Sequence, residues 1–178
     1  MNTYIKKIAL LVLFAQSFIG ISQQDTLFWF AAPDISSAEG DMPIHLNLSS
    51  YVSSVTVTID QPANLGFTPI VVSLAANSNS VVDLTPFITD IESSGADIID
   101  DSGIRITSSG YISVSYEVLH PTNRELFSLK GNKGVGMNFY TPFQKNWDNA
   151  TVAPSTHSSF ELVATEDGTT IAITPRAN

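Results

Sequence analysis

The chain has 178 residues, 17 acidic against 8 basic, and contains no cysteine. A net charge of −9 argues against nucleic acid as a partner, because every phosphate contact would be made against the protein's own field. The absence of cysteine excludes a disulfide scaffold and a cysteine-linked lipid anchor.

In chain order, Lys6 and Lys7 form a positive start, residues 8–14 are continuously apolar, and the run continues to Ile21 with Gln16 and Ser17 interrupting it. Ser22, Gln23 and Gln24 then supply the small and polar residues of a cleavage region, so residues 1–24 read as a secretory signal peptide. The stretch is shorter than the roughly 20 apolar residues of a spanning helix, so an uncleaved anchor is the weaker alternative. Lys6 and Lys7 leave with the leader, giving 6 basic against 17 acidic residues and a net of −11 for residues 25–178. Exported and without cysteine, the chain fits a bacterial envelope or surface protein, secreted or held at the cell surface.

Residues 25–33, Asp-Thr-Leu-Phe-Trp-Phe-Ala-Ala-Pro, predict a first strand with Phe28 and Phe30 on one face and Trp29 on the other. Alternation of apolar and polar residues, the mark of a strand with one face in a core, recurs at 44–48, 55–59, 104–107 and 112–118. Segments 69–74 and 80–84 add two more strands, and Pro86 opens a stretch to Ser93 that predicts one or two helical turns. Ser109-Gly110 between two alternating runs predicts a β-hairpin over 103–119. Glu166-Asp167-Gly168 predicts a second, joining 160–164 to 169–174. Many short strands separated by turns predict an all-β fold, one or more antiparallel β-sandwiches of Ig-like or jelly-roll-like type with little helix beyond the leader. The sequence divides into a β-rich region over 25–100 and a further β domain beginning at 101.

Residues 55–64, Val-Thr-Val-Thr-Ile-Asp-Gln-Pro-Ala-Asn, are echoed at 170–178, Thr-Ile-Ala-Ile-Thr-Pro-Arg-Ala-Asn. The first copy is followed by a strand able to pair with it and the second by nothing. Since a strand needs neighbours for its amide groups, the chain is expected to be the N-terminal piece of a longer protein, truncated within the 101–178 domain.

Several short motifs carry a family resemblance: 27–33 with Asp-Met-Pro-Ile at 41–44, Thr-Pro-Ile-Val-Val at 68–72, Val-Asp-Leu-Thr-Pro-Phe at 82–87, and Gly-Ile-Arg-Ile at 103–106. They continue with Tyr-Glu-Val at 116–118, Phe-Ser-Leu-Lys-Gly at 127–131, Phe-Tyr-Thr-Pro-Phe-Gln at 139–144 and Val-Ala-Thr-Glu-Asp-Gly-Thr-Thr at 163–170. Over most of its length after the leader the chain resembles the opening of large secreted Bacteroidetes surface proteins associated with type IX secretion and gliding motility. From about Gly103 it resembles the IgGFc-binding protein N-terminal domain family. The resemblance implies an extracellular adhesion or binding module followed by further domains of the same polypeptide. It carries over no catalytic residue, and antibody Fc binding does not follow for a bacterial member.

No catalytic set emerges from the residues themselves. His45, His120 and His157 lie at no mutual ligand spacing, whereas zinc needs about three convergent ligands. No Gly-x-Ser-x-Gly is present, and Glu117 and Glu161 sit on predicted strands without a distinguishing context. Asp97, Asp100 and Asp101 are candidate calcium ligands by oxygen chemistry, although they lack the Asp-x-Asp-x-Asp-Gly pattern, and no other cofactor is expected. The segment 124–147 holds four of the six basic residues that follow the leader, Arg124, Lys130, Lys133 and Lys145, among Phe127, Phe139, Tyr140, Phe143 and Trp147. Arg124, Lys130, Lys133, Tyr140, Lys145 and Trp147 are the candidate binding residues. Aromatic faces stack on sugars or peptide side chains, and the cations attract an acidic polymer. Phe127, Phe139 and Phe143 are expected in the core. The expected function is non-catalytic binding or adhesion to an extracellular protein or polysaccharide. The alternative is an accessory carbohydrate-binding module of a secreted enzyme whose catalytic domain lies downstream.

Overall fold

In the computed structural model, which describes residues 23–34, 42–93, 95, 97–141 and 160–174, the alternating segments become strands of one antiparallel sheet. The strands are β1 (Asp25–Phe30), β2 (Ile44–Ser50), β3 (Val55–Asp60), β4 (Ile70–Leu74), β5 (Asn79–Asp83), β6 (Ile104–His120) and β7 (Asn123–Ser128). The long strand β6 is the hub. Its first half runs between β1 and β3, and its second half between β2 and β7. β4 extends the sheet beyond β3, and β5 extends it beyond β2.

Ile104, Ile106, Ile112, Val114, Tyr116 and Val118 are all buried, so the same face of β6 points inward in both of its halves. Phe28, Ile44, Leu46, Leu48, Val55, Val57 and Ile59 share the same core. A single face that is inward in both halves and buried in one core requires the sheet to fold over on itself around β6. The all-β, sandwich-like architecture is therefore one folded sheet with a shared strand. Each fully buried aliphatic side chain contributes roughly 1.5–3 kcal/mol of transfer free energy. Strands from either side of residue 100 share this sheet and this core.

The hairpin expected over 103–119 does not form; residues 104–120 are one strand. A two-residue hairpin turn needs positive φ at its central residues, and neither Ser109 nor Gly110 has it. The Ser109 hydroxyl instead accepts the Thr56 amide at 3.0 Å. A Cβ at Gly110 would stand 2.9 Å from Val55 Cγ1, so the glycine permits close approach where β6 changes partner from β3 to β2. Pairing with four other strands outweighs one local turn.

Pro86 opens a 3-10 turn (Thr85–Phe87) that runs into one α-helical turn, α1 (Ile88–Ile91), as the sequence predicts. Leu84 and Ile91 are buried, and the Phe67 and Phe87 rings lie 5.5 Å apart. Buried Gln61 ties this region to the start of β6. Its Nε2 donates to the Asp90 and Ser102 carbonyls at 2.7 Å each, and its Oε1 accepts from Asn64 Nδ2.

The second expected hairpin is also corrected. Residues 160–174 contain a turn at 167–168, where Gly168 has φ +72°, but no strand. Ile171 and Ile173 are at least half exposed, so no buried face fixes a register.

Candidate functional site

β7 pairs only with β6, so among the described residues its other edge carries no strand. The register sets Arg124 opposite Leu119, Leu126 opposite Glu117 and Phe127 opposite Tyr116. Arg124 and Leu126 are exposed on the outer face. Phe127 turns inward toward Phe30 and Tyr116, with ring centroids 6.3 and 6.2 Å away, yet stays 38% exposed at the sheet margin. Phe139 is 58% exposed, so the expectation that both rings belong to the core is corrected. An edge strand has a neighbour on one side only, and Phe127 is covered accordingly.

Beyond β7 the chain turns at Leu129, which is buried, and enters a second 3-10 turn (Gly131–Gly134). Lys130 caps this turn and Lys133 lies within it, both exposed. The structure thus brings these two lysines into one short turn. Arg124 stands at the far end of β7, roughly 20 Å away at about 3.3 Å per residue. Tyr140 is almost fully exposed beyond the turn. Lys145 and Trp147, like Phe143 and His157, lie outside the described residues. The candidate residues that are described therefore form an extended margin, not a pocket.

The turn is held by a residue that sequence reasoning passed over. Asp25, the first residue of β1, accepts the Asn132 amide at 2.8 Å and Asn132 Nδ2 at 2.9 Å. It also accepts the Thr26 amide at 2.8 Å. Burial raises the Asp25 pKa, but the hydrogen bonds from Thr26 and Asn132 outweigh it and hold the carboxyl below its ordinary range. Gly131 has φ +58°, and a Cβ there would stand 2.4 Å from Asp25 Cβ. Only glycine meets both conditions.

Two further rows of side chains cross the outer face. Trp29, Arg105 and Asp60 lie side by side on β1, β6 and β3. Arg105 pairs with Asp60 through two hydrogen bonds of 2.9 and 2.6 Å and lies 5.8 Å from the Trp29 ring centre. The Asp60 hydrogen bonds and charge raise the Arg105 pKa further. In the other half, His45 stands between Asp83 and Glu117, and Glu117 accepts from Asn47 Nδ2 at 2.9 Å. Hydrogen bonds from Thr85, with the nearby His45, lower the Asp83 pKa. Cross-strand register, which a linear pattern does not display, creates both rows.

The aspartates at 97, 100 and 101 are not gathered as ligands. Asp97 sits at φ +57° and is exposed, while Asp100 accepts hydrogen bonds from the Ser93 hydroxyl and from the Ser102 amide and hydroxyl. Burial opposes ionisation of Asp100, but those hydrogen bonds lower its pKa overall. Asp100 and Asp101 line an open cleft of about 170 Å³ with Asn64, Asp90 and Ile98, smaller than the usual ligand pocket of roughly 300 Å³ or more. Among the described residues no three His, Cys, Asp or Glu side chains are grouped to hold a metal. Glu161 approaches the same end of the molecule, its Oε1 accepting the Asp34 amide at 3.3 Å while Val163 packs against Gly103. Burial, followed by the charges of Asp34 and Asp100, raises the Glu161 pKa.

Comparison with protein-family models, with curated proteins and with solved structures returned no match to this chain.

Proposed function

We propose that residues 25–178 form a non-catalytic extracellular binding or adhesion module at the N-terminus of a larger secreted or cell-surface bacterial protein. Export follows from the leader pattern of residues 1–24, and the motif resemblance to the IgGFc-binding N-terminal family of Bacteroidetes surface proteins supports the adhesive reading. The observation that carries the proposal is the margin formed by β7 and its following turn. In a strongly acidic chain, Arg124, Lys130 and Lys133 stand exposed there with Leu126, Phe139 and Tyr140, against one exposed carboxylate of β7, Glu125. A local cationic strip with aromatic faces suits an extended anionic polymer, whose charges the strip pairs and whose rings the aromatics cover.

The test is retention of the exported chain on immobilised heparin and on neutral cellulose and xylan. Retention on heparin that is released by salt supports the reading, and passage through all three columns overturns it. A carbohydrate-binding module serving a downstream enzyme is the second reading, favoured by the exposure of Tyr140. Salt-insensitive retention on a neutral polysaccharide, lost in Tyr140→Ala, would select it.

A further inference from the structure

We infer that Asp25 is a positioning residue for the binding margin: it gives the turn carrying Lys130 and Lys133 the shape in which that turn meets an anionic polymer. The inference rests on the binding reading above. Along β6, β1 pairs with residues 104–107 and, past a bulge, through Asp25 with Ile112, whereas β7 pairs with residues 115–120. The turn after β7 therefore gains no backbone ladder from β1, and the Asp25 carboxylate supplies the polar link between them. Both of its oxygens are used, Oδ2 by the Asn132 amide and Oδ1 by Asn132 Nδ2 and the Thr26 amide. An aspartate beside a cationic turn would ordinarily weaken anion binding. Here the carboxylate stays charged and is held by three neutral donors, so what it contributes to the margin is the shape of the turn.

The contact also selects its partner residue. Gly131 places its backbone against Asp25 with positive φ, which no side chain at 131 would allow. Loss of the carboxylate frees the turn to sample other shapes, and each lysine must then be ordered on binding, at a cost in affinity.

The experiment measures heparin affinity, backbone amide exchange and melting temperature for the exported chain and for Asp25→Ala, Asp25→Asn and Asn132→Ala. The inference predicts about a tenfold loss of heparin affinity in Asp25→Ala, equivalent to one lost charge-assisted hydrogen bond. Faster exchange at Asn132 accompanies it, and a melting temperature within a few degrees shows that the sheet survives. Asp25→Asn, which keeps one acceptor, falls between. Asn132→Ala, which keeps the backbone bond, loses about threefold and covers the case in which Asp25→Ala does not fold. Unchanged heparin affinity in Asp25→Ala, or in Asn132→Ala if Asp25→Ala is unfolded, overturns the inference and leaves the binding reading intact. Failure of the unsubstituted chain to bind heparin overturns the inference, and passage through cellulose and xylan as well overturns the binding reading.

Discussion

At the residue scale, two carboxylates respond to pH in opposite directions. The folded pKa of Asp25 lies below its unfolded value, so its contribution to stability is present above the ordinary Asp range and is lost as pH falls through the lowered folded value. Protection of the Asn132 amide, corrected for the intrinsic pH dependence of exchange, should therefore fall on acidification before the core strands open. The folded pKa of Glu161 is raised by burial and by Asp34 and Asp100. Its contribution is largest below the ordinary Glu range and is lost as pH rises through the raised folded value. Glu161→Gln should accordingly raise the melting temperature at pH 7 and leave it nearly unchanged at pH 4. A melting temperature lowered at pH 7 would contradict this environment. Arg105→Lys loses the two-pronged contact with Asp60 and the cover over Trp29. Since the Arg105 side chain is 37% exposed, a cost of about 1 kcal/mol is expected in urea unfolding. Neither Asp25 nor Arg105 stood out in the sequence, because their partners lie in distant segments and are brought to them by the sheet.

At the element scale, legibility followed burial. β2 and β3 show strict alternation because each lies between two strands with one face in the core, and their extents were readable to within two residues. β7 was not readable as a strand. Asn-Arg-Glu-Leu-Phe-Ser shows no alternation in solvation, since an edge strand leaves both faces partly exposed. The Ser109-Gly110 pair predicts a turn, although the glycine answers to Val55 across the sheet. Gly110→Ala tests that assignment. Its φ is not positive, so the cost is steric, about 1–3 kcal/mol for overpacking, and Val55→Ala in the same chain should recover part of it. A double-mutant cycle with zero coupling would contradict the continuous strand at this point.

At the scale of the whole molecule, composition and alternation were enough for an all-β chain. How many sheets it contains was decided by tertiary pairing, because only the length of β6 lets one strand serve both layers. The proposed binding margin was partly legible as a cationic, aromatic segment, while its contact with the N-terminal strand was not. That contact bears on the proposed export: on that reading, with Asp25 held by the turn, leader cleavage is expected before Asp25, and intact-mass measurement of the exported chain should find no product beginning after it. The most direct test of the binding margin is a heparin titration of the exported chain against Arg124→Ala/Lys130→Ala/Lys133→Ala at two salt concentrations. A cationic margin predicts at least a tenfold weaker affinity and a shallower salt dependence in the triple variant, with the melting temperature retained. Equal affinity and equal salt dependence in the two proteins would contradict it.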